Sequence, residues 1–226
     1  LSIQAETGVP PEMIVAIIGV ESYFGRHTGK YRVIDALATL GFDYPPRAKF
    51  FRGELGQAFL LARENDLDIS KLLGSYAGAI GPPQFIPSSY RNYAVDGDGD
   101  GVVDLFNNWD DILTSVANYF KVHKWRSSEA VATQASLRDV SMDLPLYKSL
   151  KPRDTVASLS EQGVLFSTEQ ASGRAAKLFE MDAEEGPEYW VGFHNFYVIT
   201  RYNHSSMYAL AAFQLGQSIA SEVNKE

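Results

Sequence analysis

An acidic run at Asp96, Asp98 and Asp100, with one glycine between successive aspartates, has the spacing of a calcium-binding loop. Calcium is a hard cation that takes six to eight oxygen ligands. Carboxylates at positions one, three and five of such a loop point toward one centre, and a glycine at position six allows the sharp turn. Gly101 fills position six, and Val102 at position seven would offer its backbone carbonyl. We therefore expect a calcium ion that holds this loop in shape.

The end of this loop departs from the EF-hand pattern. That pattern places a glutamate at position twelve, where this chain has Asn107. Asp110 or Asp111 would close the site in a longer loop, and Asp104 at position nine would bind through a water. The alternative is a solvated turn of aspartates and glycines without an ion. Close carboxylates repel one another when no cation is present, which favours the metal site.

Glu21 is the residue best suited to acid–base chemistry. It follows Ile14, Ile17 and Ile18 at helical spacing, so the pattern places a carboxylate on the apolar stripe of a helix that Gly25 ends. Burial and the negative end of the helix dipole both raise the pKa of a carboxyl group. A raised pKa keeps a general acid protonated near neutrality. The alternative is a structural glutamate paired with a nearby cation, for which the candidates are Arg26, Lys30 and Arg32.

Composition narrows the possible function classes. The chain has 226 residues, 45% of them hydrophobic, which suffices for one large domain or a core with a small insert. Its net charge of −8 argues against a nucleic-acid partner. The absence of cysteine excludes disulfides, thiol nucleophiles and thiolate zinc sites. No apolar run long enough for a membrane span and no signal peptide are visible, and the opening at Leu1 favours a fragment or a processed form.

The elements that must position these residues are mostly helices. The proline pairs Pro10–Pro11 and Pro45–Pro46 each open a helix, and Asn107 or Asn108 caps a third. The stretch from Gly74 to Gly101 carries most of the glycine and proline, which predicts a long loop between the second and third helices.

The second half of the chain has a different texture. Short mixed runs predict a small β-containing insert at 127–187, and Tyr197–Thr200 predicts a short strand or an extended lead-in. A final helix begins near Ser205. The fold class is therefore α+β and predominantly α, with a core at 1–126, the insert, and a return to the core at 188–226.

Six ordered runs of the sequence carry a family resemblance. They are Val15–Glu21, Ile34–Leu40, Gly74–Gly81, Gln84–Tyr90, Ser115–Phe120 and Ile199–Ser205. Together they closely resemble the membrane-bound lytic transglycosylase B family of bacterial cell-wall enzymes, most weakly between Ser127 and Pro187. The resemblance implies a lysozyme-like core with an EF-hand-like calcium site. It also implies cleavage of the β-1,4 bond between N-acetylmuramic acid and N-acetylglucosamine in peptidoglycan, with formation of a 1,6-anhydro-muramic end.

The resemblance also assigns roles to single residues. The family's catalytic glutamate falls on Glu21. Its substrate-binding residues fall on Ser75, Gln84, Tyr119, Tyr202, Asn203 and Tyr208. Its calcium ligands fall on Asp96, Asp98, Asp100, the carbonyl of Val102, and Asp111 or, by another count, Asp110. The family usually has methionine where this chain has Ile80, and it has more chain before Leu1.

A single carboxylate can carry this reaction when the substrate assists. Ordinary retaining glycosidases need two carboxylates about 5–5.5 Å apart, and here the acidic run is committed to the metal. Glu21 would protonate the leaving oxygen, the muramic acetamido group would stabilise C1, and Glu21 would then accept the proton of the attacking C6 hydroxyl. Two alternatives stay open. One is a hydrolytic muramidase with Asp35 or Asp43 as second acid, and the other is a non-catalytic, calcium-stabilised glycan-binding module.

Further expectations about partners and location follow from the resemblance. The ligand is the peptidoglycan glycan strand, other cell-wall enzymes are candidate partners, and the chain is a monomer. Calcium is the expected cofactor, and no organic cofactor or nucleic acid is expected. The family resemblance places the protein in the periplasm of a Gram-negative bacterium, either soluble or anchored to the outer membrane by a lipid.

Overall fold

Helices dominate one part of the molecule and a β-sheet organises the other. The structure is a computed structural model that describes residues 2–139 and 144–225. The chain divides into two compact units, Leu1–Val122 and His123–Glu226. The predicted α+β fold class, with more helix than strand, is confirmed. Among the described residues, no helix is long and apolar enough to cross a membrane.

The first unit carries Glu21 and the acidic loop. Its helices are α1 (Ser2–Thr7), α2 (Pro11–Ser22), α3 (Val33–Asp43), α4 (Ala48–Glu64), α5 (Pro87–Tyr93) and α6 (Trp109–Val122). Two short strands, β1 (Tyr31–Arg32) and β2 (Leu73–Gly74), pair in antiparallel fashion. The prolines at Pro45–Arg47 form a 3-10 turn that leads directly into α4.

The helix α2 begins and ends for local reasons. Pro10 is its N-cap and Pro11 its first residue, where a proline costs no hydrogen bond. Its last turn closes when Tyr23 and Phe24 adopt positive φ angles of 51° and 58°, ahead of Gly25 at 81°. Left-handed backbone at non-glycine residues is strained and persists only where the surrounding structure imposes it. The chain therefore turns sharply at the residues that follow the helix.

A buried carboxylate joins α4 to α5. Glu54 is buried on α4, and its two oxygens accept hydrogen bonds from the backbone N–H of Ser88 (2.9 Å) and from Ser88 Oγ (2.7 Å). Ser88 lies in the first turn of α5, where backbone N–H groups have no partner within the helix. Glu54 therefore caps a helix that precedes the acidic loop.

The second unit is built on a five-stranded antiparallel sheet. The strands are β3 (Ala132–Leu137), β4 (Asp154–Thr155), β5 (Val164–Phe166), β6 (Ala175–Ala183) and β7 (Gly186–Gly192). Their order in the sheet is β4-β6-β7-β3-β5. Three helices accompany it, namely α7 (Val156–Glu161), α8 (His194–Tyr202) and α9 (Ser206–Val223). Its core comprises Val156, Leu159, Val164, Ala176, Leu178, Val191 and Phe193.

The strand predicted at Tyr197–Thr200 is wrong, because these residues lie within α8. Val198, Ile199 and Thr200 are buried there, and packing outweighs the β propensity of branched side chains. Asn195, in the first turn, fixes the start of the helix. Its side chain donates to the carbonyls of Arg126 and Glu129 and accepts the N–H of Arg126.

Lys177 places an amine inside the second unit. The residue is 3% exposed on β6, and Nζ donates to the carbonyl of Tyr147 at 2.8 Å. The same Nζ lies 3.6 Å from the centre of the Tyr147 ring. Burial lowers the pKa of Lys177 to about 8 from its ordinary 10.5, against the opposing pull of Asp154. The folded protein therefore disfavours the charged amine.

We expect Lys177→Met to remove a pH dependence of stability. Between pH 8 and 10.5 the unfolded chain holds a proton on Lys177 that the folded chain has lost, so the free energy of unfolding of the wild type rises with pH. The full shift corresponds to at most about 3 kcal/mol. Urea unfolding across this pH range measures the difference between wild type and variant. The exposed Lys148→Met is the control, and an unchanged slope in Lys177→Met would contradict the expectation.

Candidate active site

Glu21 lies in the last turn of α2 and is half-buried. The preceding Ile14, Ile17 and Ile18 are buried, as the helical spacing predicts. Across the described ranges of the chain, none of the cations proposed as structural partners is seen in an ion pair with Glu21. Arg32 pairs with Asp35 at 2.6 Å, and neither Arg26 nor Lys30 forms an ion pair with any carboxylate in the described part of the chain. The carboxylate therefore sits where an apolar helix face reaches the surface.

Ser22 fastens the end of α2 to a loop distant in sequence. The residue is 1% exposed, its hydroxyl donates to the carbonyl of Pro82 at 2.7 Å, and Oγ accepts the N–H of Gly25 at 3.0 Å. Pro82 is buried as well. The sequence contains no signal for this positioning residue, because a serine beside a glutamate forms no periodic pattern. Its bonds fix the backbone immediately after Glu21.

We expect Ser22→Ala to lower the free energy of unfolding by about 2 kcal/mol, because it leaves a buried carbonyl and a backbone N–H without partners. Urea unfolding followed by circular dichroism measures the change. Ser218→Ala is the matched control, since the exposed Ser218 donates from Oγ to the carbonyl of Gln214 within its own helix. Equal midpoints for the two variants would show that Ser22 does not anchor the helix end.

Ser75 and Gln84, both predicted to bind substrate, shape their own loop. Ser75 Oγ accepts the backbone N–H groups of Ala77 (3.2 Å) and Ala79 (3.1 Å). Gln84 Nε2 donates to the carbonyls of Thr28 (3.1 Å) and Gly81 (2.9 Å). Within the described residues both bonds of this amide use its nitrogen, which leaves Oε1 to accept from a ligand.

These two side chains meet in a cleft of about 490 Å³. Its lining includes Arg26, Lys30, Tyr31, Ser75, Tyr76 and Gln84. The two walls approach very closely at Gly29, where an added Cβ would lie 2.0 Å from the carbonyl of Gly74. Pairing of β1 with β2 holds the same walls together. The cleft is therefore a preformed feature of the first unit.

Tyr119, also predicted to bind substrate, lies in an aromatic cluster on α6. It is buried, and its ring centre lies 4.8 Å from that of Tyr93 and 5.8 Å from that of Phe85. Such edge-on and tilted contacts stabilise a core. A contact between Tyr119 and substrate stays a prediction.

The remaining predicted substrate residues belong to the second unit. Tyr202 is the half-buried last residue of α8, and the exposed Asn203 follows it. Tyr208 lies in the first turn of α9, where its backbone N–H donates to the N-cap Ser205 Oγ at 3.3 Å. This start of the final helix is as predicted, and the role of the three residues in substrate binding stays a prediction.

The acidic loop brings three carboxylates together. Ligand oxygens of Asp96, Asp98 and Asp111 all lie within 4.8 Å of one another. Asp111 is fully buried in the first turn of α6, and its two oxygens accept the N–H groups of Gly97 and Asp104, each at 2.7 Å. A buried carboxylate of α6 thus lies close to two carboxylates contributed by the loop itself.

Backbone groups prepare this loop for a cation. The N–H of Gly101 donates to Asp96 Oδ2 at 2.8 Å, and this bond, with others in the loop, holds the pKa of Asp96 below its ordinary value. Asn108 caps α6 and donates from Nδ2 to Asp98 Oδ2 at 2.9 Å. The clustered carboxylate oxygens suit a hard cation such as calcium. Asp100 Oδ1 accepts the N–H of Val102, and the ligand roles of these two residues stay predictions.

Comparison with known proteins gives consistent matches. Residues 1–217 match the transglycosylase SLT domain. The chain is 47% identical over 215 residues to membrane-bound lytic murein transglycosylase B of Escherichia coli strain K12. This match covers 94% of the chain. It spans 58% of the length of that relative.

Several solved structures share the fold, among them two that were solved with a bound ligand. The Escherichia coli lytic transglycosylase Slt35 in complex with calcium has a TM-score of 0.87 and 45% identity, covering 98% of this chain and 69% of its own. The second is SltB3 from Pseudomonas aeruginosa in complex with NAG-NAM-pentapeptide. It has a TM-score of 0.85 and 35% identity, covering 96% of this chain and 58% of its own.

Proposed function

Since this chain belongs to the transglycosylase SLT domain family, we propose that it is a lytic murein transglycosylase. Its reaction is cleavage of the β-1,4 bond between N-acetylmuramic acid and N-acetylglucosamine, with formation of 1,6-anhydro-N-acetylmuramic acid. The observation that carries the proposal is the half-buried carboxylate of Glu21 at the end of α2. A protein that only bound glycans would have no need for an acid in this setting.

Glu21 acts first as an acid and then as a base. Its protonated carboxyl gives a proton to the glycosidic oxygen while the bond from that oxygen to C1 of muramic acid breaks. The carbonyl of the muramic acetamido group stabilises C1 from the opposite face. The C6 hydroxyl then forms the new bond to C1 and gives its proton to the Glu21 carboxylate. The proton balance closes without water, and Glu21 returns to its starting state.

The other predicted site residues orient the sugar. Gln84 and Asn203 hold the acetamido and hydroxyl groups, with Gln84 Oε1 as acceptor. Tyr119, Tyr202 and Tyr208 pack on sugar rings, and Ser75 contacts the substrate from the loop that it stabilises. Support comes from the cleft that Ser75 and Gln84 line together.

Calcium has a structural role in this proposal. Asp96, Asp98 and Asp111 would hold it, with Asp100 and the Val102 carbonyl as further ligands. The ion supplies no step of the reaction. It fixes the loop between α5 and α6 by offsetting the repulsion of the carboxylates.

The hydrolytic alternative lacks comparable support. Asp35 is exposed and paired with Arg32 at 2.6 Å, and Asp43 is exposed at the end of α3. Hydrolysis needs a second carboxylate that activates a water at the sugar, and neither of these two residues lines the cleft that Ser75 and Gln84 share. We therefore assign the chain to the non-hydrolytic reaction.

The biological setting completes the proposal. The substrate is the peptidoglycan strand, and the chain acts as a monomer in the periplasm of a Gram-negative bacterium, soluble or lipid-anchored, alongside other cell-wall enzymes. In this proposal residues 1–126 and 188–226 contribute the catalytic and substrate-binding residues, and residues 127–187 are the insert.

Mass spectrometry of purified peptidoglycan digested by this chain tests the reaction type. We expect muropeptides whose muramic end is lighter by one water than a reducing end. Reducing ends would identify a hydrolase and direct attention to a second carboxylate. The absence of any product would favour the glycan-binding module.

A further inference from the structure

Two exposed cations, Arg26 and Lys30, line the cleft beside Ser75 and Gln84. Arg26 and Lys30 form no ion pair in the described part of the chain. The whole chain has eight more acidic than basic side chains, by 28 against 20. A pair of cations left unmatched in one cleft of an acidic protein is suited to an anionic ligand.

The cleft holds these cations on a fixed framework. The carbonyl of Thr28 accepts a hydrogen bond from Gln84 at 3.1 Å, and Gly29 packs directly against Gly74. The Arg26 guanidinium lies 5.2 Å from the centre of the Tyr23 ring. This contact orients the guanidinium without consuming its hydrogen-bond donors. The backbone that carries both cations is therefore fixed, and the Arg26 guanidinium is partly ordered before a ligand binds.

Exposed aromatic side chains flank the cations. Tyr31 is 51% exposed and Tyr76 is 73% exposed, and both line the same cleft. Exposed aromatic surface beside positive charge suits a ligand with both an apolar body and an anionic group. A neutral sugar would pack on the tyrosine rings but would leave the cations without a counter-charge.

We propose that this cleft binds the carboxylates of the peptide stem attached to muramic acid. The inference rests on the proposed function, which makes peptidoglycan the substrate. N-acetylglucosamine is neutral, and the acid of muramic acid is consumed in the amide bond to the stem, so the stem carries the negative charge. Arg26 and Lys30 bind these carboxylates through charge-assisted hydrogen bonds. Tyr31 and Tyr76 cover the apolar part of the stem.

The proposal makes the chain selective for strands that carry charged stems. Binding of the stem positions the adjoining muramic residue relative to Ser75 and Gln84, which line the same cleft. Neutralising the stem carboxylates as carboxamides removes the attraction without changing the glycan. A comparison of charged and carboxamide stems therefore isolates the effect of the stem charge on binding.

Binding to the wild-type chain tests the proposal independently of turnover. The probe is NAG-NAM-pentapeptide, compared with the same compound in which every carboxylate is a carboxamide. Calorimetry should give about tenfold tighter binding of the charged form, with the ratio falling toward one at about 0.5 M salt. The probe lacks the bond cleaved in the proposed reaction, so its affinity does not depend on activity. Equal affinities for the two forms overturn the proposal and assign the cleft to a neutral sugar.

Variants assign the effect to the cleft. We expect Arg26→Gln/Lys30→Gln to bind both forms with equal affinity, whereas the matched pair Arg63→Gln/Lys121→Gln, at exposed positions on α4 and α6, retains the tenfold ratio. A ratio that survives in the cleft variant, or disappears in both variants, overturns the proposal. Failure to form anhydro products would contradict the proposed function and would leave these binding results to decide the role of the cleft.

Discussion

Replacing Glu21 with glutamine is expected to lower the rate of anhydro-muramic product formation by at least about 1,000-fold. General acid–base catalysis contributes about 10²- to 10⁴-fold in a typical enzyme, and here one carboxylate serves both the protonation and the deprotonation. Glutamine is nearly isosteric with glutamate but can neither donate an acidic proton nor accept one. Mass spectrometry and the release rate of soluble muropeptides measure the loss.

A matched control lies on the same helix. Glu12 is in the first turn of α2, and Glu21 is in its last turn. Glu12→Gln removes one negative charge by the same chemical change and should retain activity within about twofold, since only a surface interaction with the helix dipole is lost. Activity of Glu21→Gln near that of Glu12→Gln would remove Glu21 from the mechanism. A binding-module function would be supported if Glu21→Gln and wild type bound glycan equally and neither cleaved it.

Calcium is expected to raise the thermal midpoint of the wild type by about 5–10 °C when its concentration is about 100 times the dissociation constant. Binding to the folded chain alone then contributes about 2.7 kcal/mol, and a chain of this size gains about 2–4 °C for each kcal/mol. Asp111→Asn should abolish most of this calcium-dependent rise, because it removes a buried charge from the group with Asp96 and Asp98. Differential scanning calorimetry with calcium or with chelator measures the shift within each variant.

The neighbouring Asp110→Asn provides the control. Asp110 is exposed, and its backbone N–H donates to the cap residue Asn108. We expect this variant to keep the calcium-dependent rise. The opposite pattern, with the shift lost in Asp110→Asn and kept in Asp111→Asn, would assign the last ligand to Asp110. If calcium did not change the thermal midpoint of the wild type, the acidic run would be a solvated turn without an ion.

Sequence alone predicts the features that depend on local chemistry. Pro10 and Pro11 open α2 as expected, and the spacing of Ile14, Ile17 and Ile18 gives its buried face. The clustering of Asp96 and Asp98 follows from alternation with glycine. In each case a few neighbouring residues contain the whole signal.

Features that depend on packing escape sequence analysis. Asp110 and Asp111 are adjacent, and a step of one residue turns a helix by about 100°. Only the placement of α6 therefore tells which carboxylate is buried. The Val198–Ile199 pair has the composition of a strand but lies in α8 because its surroundings bury it. The anchoring role of Ser22 and the position of Arg26 and Lys30 in the cleft depend on contacts between segments that lie far apart in the chain.

Gly29 and Gly74 form a joint between the two walls of the cleft, and this joint limits how the chain can diverge over evolutionary time. Any side chain at Gly29 would collide with the backbone of Gly74, whereas an added Cβ at Gly53 or Gly56 would meet no atom within 4 Å. Neutral drift can therefore replace those two helical glycines but not Gly29. Because Arg26, Lys30 and Tyr76 are exposed, their identities can change while the joint stays intact. A lineage can thus alter what the cleft prefers without changing the close backbone contact on which the cleft is built.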